Sequence, residues 1–431
     1  MAGPYYVDLG TTGAWNARDG LSSGACWYGL SGLQKAYDTV AAGETCYVKG
    51  TATMASSGVV GNFYSVAYDA DNDTTLVDGE EVNWDTGTWT DGSSGSGIVH
   101  ITSTTATSPG TVEIEMKTGT APADNDEIKG VTSGGIITPS ANGVLKGIDA
   151  DAKAGTNAAG PVIFIGCDSS FAVVGGTTRA KINVNSQAVH GLSVTSAATL
   201  LLLKNIEIYS CGGSAKHGIS GTSNPVIFLI NCSLHNNSGA GISGNAGFCF
   251  LSTSYGNTGS GFHFGWSYFC SAYDNGSNGT ASSAIGCVLH NNLIGINGFS
   301  GGQPTLALNN VIDANTSKGI AGYGTEALHG GVVIIGNRIT NHSGAGDIGI
   351  DLEGELSWLG WNYLENNTGD NIQDTALRFA ISGTGTATDV EDGVSVDDYG
   401  YVDSANHDFA TNYDSGDPDN VRRTAITIPW T

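Results

Sequence analysis

The stretch GDIGIDLEGE, residues 346–355, concentrates carboxylates where they could act together. If it is a strand with Ile350 and Leu352 facing inward, Asp351 and Glu353 face outward side by side. Residues i and i+2 of a strand stand about 6.5–7 Å apart. Two carboxylates at that separation can serve as the acid–base pair of glycoside hydrolysis. With Asp347 the same groups could ligate Ca²⁺, a hard cation that takes carboxylate oxygens. Arg338, or Arg378 further on, would neutralise an acidic sugar. Against this stands a chain that spreads 41 acidic residues over its length, so two on one strand arise by chance. A lyase needs a cationic base beside a Ca²⁺ cluster to remove a proton next to a carboxylate. With six Arg in the chain no such set is spelled out. Catalysis is not expected, and no cofactor is.

A second chemistry is recognition. His263, beside Phe262 and Phe264, and the cluster FGWSYF (264–269), with Trp266 and Tyr268, offer an aromatic strip. Such rings can stack on a glycan, or they can belong to a core or a subunit contact. His235 and His290 hold the same corner of different repeats, with two repeats between them, which suits corner hydrogen bonding better than a shared metal. The eight Cys show no Cys-x-x-Cys spacing and read as small buried apolar residues, with a 26–46 bridge left open.

Composition sets the frame that must carry these residues. The formal charge is −25, with 16 basic residues, so nucleic acid and anionic membrane are poor partners. Sixty-five Gly are too many for a helical protein, and they do not fall at every third position. The start MAGPYYVDLG shows no basic and apolar secretory pattern, and no apolar run is long enough to span a bilayer. The expectation is a chain assembled in a cytoplasm.

An internal repeat dominates from about 160 to 375. NCSLHNN (231–237), GCVLHNN (286–292), NNVIDAN (309–315), GNRITNH (336–342) and WNYLENN (361–367) align. Their second positions are Cys232, Cys287, Asn310, Asn337 and Asn362, with Thr253 and Ser271 as looser members. A Gly–apolar pair follows most of them, as at Gly241–Ile242, Gly295–Ile296, Gly319–Ile320 and Gly349–Ile350. Each short strand cannot bury its apolar side alone, so the units must stack into a solenoid of parallel strands. Asn at one station of successive coils predicts an amide ladder, and Gly is assigned to corners of positive φ. Leu234, Ile242, Leu289, Ile296, Ile312, Ile320, Ile339, Ile350 and Leu364 are the expected core.

This repeat resembles the right-handed parallel β-helix superfamily of pectate lyases and phage tailspikes. YYVD (5–8), LSGLQKAYDTV (30–40) and ETCYVKG (44–50) resemble the strand–helix–strand cap of that superfamily, with Ser31 as helix N-cap. The expected organisation is a cap with first β-helix strands over 1–72, an inserted antiparallel β-module over 73–140, the parallel β-helix over 141–375 and a β-rich C-terminal cap over 376–431. The module is expected to be separable from the rest. Its DGEEV…GTVEIEMKTG…NDEIKGVTSGG resembles small modules of tailed-phage virion proteins, and 398–429 resembles the ends of phage-encoded β-helix proteins. The resemblance implies a structural virion component on the capsid or tail surface, homo-oligomeric and bound to other virion proteins. Binding to, or degradation of, a host polysaccharide is the alternative.

Overall fold

A computed structural model describes residues 4–382 apart from 73–74, 88, 103–108, 151–159, 176–177, 197–198, 223–224, 245, 264, 299–304, 322–331, 343–347, 352–356, 361, 366, 368–371 and 374–378. The chain is a parallel β-helix with three walls per coil, and it divides into units 1–227 and 228–431. The expected C-terminal cap lies almost wholly outside the described residues.

In the first unit the first wall stacks Tyr5–Asp8, Thr45–Lys49, Val162–Cys167 and Leu200–Lys204, all parallel. The second wall holds Thr51–Thr53, Ala180–Asn183 and Ile206–Tyr209, and the third Ile148–Asp149, Leu192–Val194 and Ile219–Gly221. Helix α1, Gly29–Thr39, closes the open end. Its apolar stripe Leu30, Leu33, Tyr37 is buried, with Tyr37 stacked on Phe164 at 3.9 Å. Gln34 reaches the third wall, accepting from Asp149 N at 2.8 Å and donating to Asp149 O at 2.6 Å.

Six strands from Phe63 to Pro139 build an antiparallel barrel. Ile136–Pro139 pairs back onto the second half of Phe63–Asn72 and closes it, and Val144–Lys146 pairs with residues 63–65 along the same edge. The sheet therefore takes strands from both sides of 73–140, because the long strand 63–72 reads like another β-helix strand. Its core packs Trp84, Val99, Ile114, Met116 and Ile128.

The barrel touches the cap through buried hydrogen bonds. Glu115 is buried and accepts from Ser31 N and Ser31 Oγ, both at 2.9 Å, at the start of α1. The helix N-terminus is thus capped by a carboxylate 84 residues away, which satisfies orphan amides and complements the helix dipole. Ser31 is not the N-cap; that position is Tyr28, which makes no side-chain cap. Gly29, at φ +65°, is needed there: a Cβ would lie 2.3 Å from Glu115 Oε2.

The second unit is likewise built of three walls. Its first wall stacks 228–230, Ala246–Phe250, Trp266–Tyr268, Ser283–Ile285, Thr305–Leu308, Val332–Ile335, Ser357–Gly360 and Phe379–Ser382. Seven strands from Ser233–His235 to Tyr363–Glu365 form the second. The third runs from Ile242–Ser243 to Ile372–Gln373. All nine expected core residues are inside.

The corners explain the repeated phrase. Among the described residues of the second unit, each turn out of the first or second wall is one left-handed residue followed by one buried residue, Asn, His, Ser or Cys. After the second wall the left-handed column is Asn236, Gly256, Asp274, Asn291, Ala314 and Asn341. The buried column is Asn237, Asn257, Asn275, Asn292 and Asn315, then His342. Each amide Nδ2 in that Asn run donates to the next Oδ1, at 2.8, 2.9, 2.9 and 3.1 Å. His342 Nδ1 takes the amide's place, accepting from Asn315 N at 3.0 Å. After the first wall a second ladder runs Asn310–Asn337–Asn362, with Nδ2–Oδ1 distances of 2.8 and 2.9 Å. Its earlier members are Cys232, Ser252, Cys270 and Cys287; Thr253 and Ser271 each stand one residue too late, since they pair with Ser233 and Val288. All eight Cys are buried, and Cys26 and Cys46 are not bridged to one another.

Positive-φ Gly stand at corners, as at Gly256, Gly286 and Gly336, whereas the Gly of each Gly–Ile pair, at the start of the next wall, is not a positive-φ residue. At Gly319 a Cβ would meet Gly349 O and His342 Nε2, each at 2.5 Å, and Ile339 Cγ2 at 2.6 Å. Glycine is required there by the close approach of the next coil to the ladder.

Candidate functional site

In a β-helix the alternation that buries one set of side chains presents the other on flat outer walls. The first wall of the second unit presents two columns. One is Phe228, Phe248, Trp266, Ser283, Leu306 and Val333, in which Ser283 is itself buried. The other is Ile230, Phe250, Tyr268, Ile285, Leu308 and Ile335. Neither column holds a charged side chain, in a chain of net charge −25. The rings occupy one end and the aliphatic residues the other. Trp266 and Tyr268 stack at 6.1 Å and 12°, Phe228 and Phe248 at 5.6 Å and 10°. Phe248 is 42% exposed, and Phe269 at the adjoining corner 44%.

The second wall presents a different surface. His235, Tyr255, Tyr273 and His290 form one column of stacked rings, with centroids 4.5, 4.9 and 5.0 Å apart and planes within 5°. The two expected corner histidines are therefore the ends of a ring stack, separated by two coils. Asp313 and Thr340 continue the column, and Asp313 Oδ1 accepts from Thr340 Oγ1 at 2.7 Å and Asn341 Nδ2 at 2.8 Å. Beside it runs a column of mostly small residues, Ser233, Thr253, Ser271, Val288 and Val311, ending in Arg338 and Tyr363. Faces of the stacked rings are occupied by each other, so their polar edges are what remains to meet a ligand.

The candidate acid–base set is not gathered on one face. Asp351 is on the third wall, buried and ion-paired with Lys318 of the preceding coil. Arg338 is on the second wall, its guanidinium 6.0 Å from the Tyr363 ring centre. Asp347, Glu353 and Arg378 lie outside the described residues. Trp266 and Tyr268 stand on the first wall. His263 follows the inward Phe262 on the third wall and is half-buried, and burial pushes its imidazole below the usual range. Among the described residues no group of three or more His, Cys, Asp or Glu could hold a metal ion, and no helix is long and apolar enough to cross a membrane.

These walls and corners define the class of the chain, a parallel β-helix. No protein-family signature matches the chain, and no curated protein does. Two solved structures are similar in outline. Pectate lyase Pel9A has 16% identity and a TM-score of 0.46 over 94% of this chain and 86% of that one. The periplasmic alginate epimerase AlgG has 13% identity and a TM-score of 0.27 over 50% of this chain and 51% of that one. Both act on polysaccharides by name; at these values neither passes a substrate or a mechanism to this chain.

Proposed function

We propose that this chain is a structural component of a larger assembly and, on the resemblance in its sequence, of a tailed-phage particle. The observation that carries the reading is the uncharged outer face of the first wall. Contiguous apolar surface of this kind marks an interaction site, and an acidic chain gains nothing in solubility from it. Coils held together by buried amide ladders suit a particle surface, where resistance to local opening matters. Gold-labelled antibody against the chain is expected to decorate intact particles in electron micrographs. Label on the shell would mean capsid decoration and label at the tail tip adhesion. Chain found free in the lysate with particles unlabelled would overturn the reading.

A second reading, polysaccharide binding, is favoured by the ring column of the second wall. Its polar edges repeat at the strand spacing of about 4.8 Å, a period that a linear glycan lying along the axis can follow with its hydroxyls. On this reading Tyr273→Ala or His290→Ala weakens retardation in polysaccharide-containing gels about tenfold. Stacking on Trp266 and Tyr268 would instead make Trp266→Ala the damaging change. Incubation with acidic and neutral polysaccharides and Ca²⁺ is expected to release neither reducing ends nor unsaturated products. Turnover lost in Asp351→Ala or Glu353→Ala would make the chain an enzyme.

A further inference from the structure

We infer that Cys270 and Cys287 are a redox modification site, two thiols inside the solenoid that hydrogen peroxide converts to a disulfide joining successive coils.

Register selects the pair. Tyr268 is level with Ile285 on the first wall, and Ser271 with Val288 on the second. Cys270 and Cys287 therefore hold the same corner station of neighbouring coils. In-register parallel strands lie about 4.8 Å apart, inside the range of about 4.4–6.8 Å between Cα atoms that a disulfide spans. The Cys287 sulfur already points at the earlier coil, where it accepts from Cys270 N at 3.4 Å. The two thiols also bond to one another. Other cysteines do not meet this way. Ser252 stands between Cys232 and Cys270 in the column, Cys249 is level with Ser267, and Cys46 and Cys167 are level with Phe164 and Lys49.

The surroundings activate one sulfur. Both are buried, and burial alone raises a thiol. At Cys287 the bonds received from the side chain and amide of Cys270 outweigh burial and leave the thiol below its ordinary range. Cys270, buried and donating, stands well above that range. The thiolate is the attacking form, so Cys287 reacts first. Its sulfur takes one oxygen from the peroxide, giving a sulfenic acid and water. The Cys270 sulfur then bonds to the Cys287 sulfur, the S–O bond breaks, and the hydroxyl leaves with the Cys270 proton as a second water. Two thiols lose two electrons and the peroxide gains them.

The bridge would replace a weak rung. In the reduced chain Cys287 Sγ donates to Ser267 O at 3.3 Å, where the next coil has Asn310 Nδ2 donating to Ala284 O at 2.9 Å. A thiol is a weak donor and a weak acceptor, so the column is poorest in hydrogen bonding at the coil that carries Trp266, Tyr268 and the exposed Phe269. The Phe269 ring covers this corner from outside: a Cβ on Gly286 would lie 2.6 Å from its Cδ1. Oxidation of the folded chain therefore waits on local opening, and the bridge, once made, holds the corner closed.

Treatment of the full purified chain with hydrogen peroxide tests this. After removal of peroxide, denaturation and reaction with N-ethylmaleimide, the oxidised chain is expected to carry label on two fewer of its eight cysteines than the reduced chain. A peptide map without reductant shows Cys270 linked to Cys287. Cys270→Ser and Cys287→Ser each abolish the link, and Cys249→Ser keeps it. Serine already holds this station at Ser252, so the variants are expected to fold, which a thermal melt checks; if either does not, the wild-type map decides alone. In the oxidised chain, amide exchange at 269–271 and 286–288 slows at least about tenfold. Label on all eight cysteines after oxidation, a bridge to any other cysteine, or sulfinic acid at Cys287 without a bridge overturns the inference. Exchange at the corner that oxidation leaves unchanged overturns it as well.

Discussion

Asn292→Ala should destabilise the chain by about 4 kcal/mol, while Asn291→Gly, one residue earlier, should be nearly neutral. Asn292 is fully buried and sits mid-ladder. Its Oδ1 accepts from Asn275 N at 3.2 Å and Asn275 Nδ2 at 2.9 Å. Its Nδ2 donates to Ala272 O at 2.9 Å and to Asn315 Oδ1 at 3.1 Å. Alanine removes both ends at once and leaves a backbone amide, a backbone carbonyl and two side-chain amide atoms without these partners in a place water does not reach. Each buried group so orphaned costs about 1–3 kcal/mol, and partial relaxation of neighbours keeps the sum below the upper bound. Asn291 is exposed with φ +53°, a conformation that glycine adopts freely. Denaturant midpoints of the two variants check the contrast. Equal losses would mean that the ladder contributes no more than the turn.

The same pair shows what is legible in the sequence and what is not. The repeat exposes the solenoid because inward residues recur as single aliphatic letters, such as Leu289, Ile312 and Ile339, and the Asn310–Asn337–Asn362 ladder because three coils carry the same letter. Coils with Ser252 and Cys270 at that station align one residue late, since only backbone register distinguishes Ser252 from Thr253. The second ladder lies in plain view in the doubled Asn, but its two members do opposite jobs, one strained and exposed, the other buried. Glycines of the Gly–Ile pairs show in the sequence only that Cβ is missing, not whether φ or a neighbouring carbonyl forbids it. The candidate site is least legible. Alternation places Asp351 outward on its strand, yet its pairing with Lys318 depends on a coil 33 residues away. The uncharged first wall and the ring column emerge only when residues 17 to 27 apart are laid in register, as Phe248, Trp266 and Ser283 are. Docking of the barrel escapes for the same reason, because Glu115 and His100 look like ordinary strand residues until α1 is packed against them.

His100 makes that docking pH-dependent. The imidazole, 1% exposed, is held between Asp78 of the barrel at 2.9 Å from Nδ1 and Asp38 of α1 at 2.6 Å from Nε2. Lys35 of the helix pairs with the other Asp78 oxygen at 2.8 Å. Glu113, paired with Lys146, is a further acid near the ring, and Trp15 packs 6.2 Å from it. Burial alone would push the imidazole down, but hydrogen bonds and charge from Asp38 and Asp78 more than reverse this and hold it at about 9, against 6.5 in the free side chain. Burial likewise raises Asp78, and its bonds to His100 and Lys35 outweigh that and leave it below the usual carboxylate range. The folded state thus binds the His100 proton more tightly than the unfolded chain does. Its contribution is complete below pH 6.5, falls as pH rises from about 6.5 to about 9, and is gone above. A separation of about 2.5 units corresponds to about 3 kcal/mol. Asp78 has the opposite sign, its share being lost only as pH falls below the carboxylate range, so stability attributable to the clamp peaks between about pH 4 and 6.5. His100→Gln keeps a polar side chain in place without the charge. At pH 6 it should lose about 3 kcal/mol relative to wild type, and the two should converge above about pH 9. Hydrogen exchange of the α1 amides reports the clamp directly, since release of Asp38 frees the helix from the barrel. Wild-type exchange that stays flat from about pH 6 to 9.5, after correction for the intrinsic rate, would show that His100 is neutral in the fold and that the two aspartates do not hold its proton.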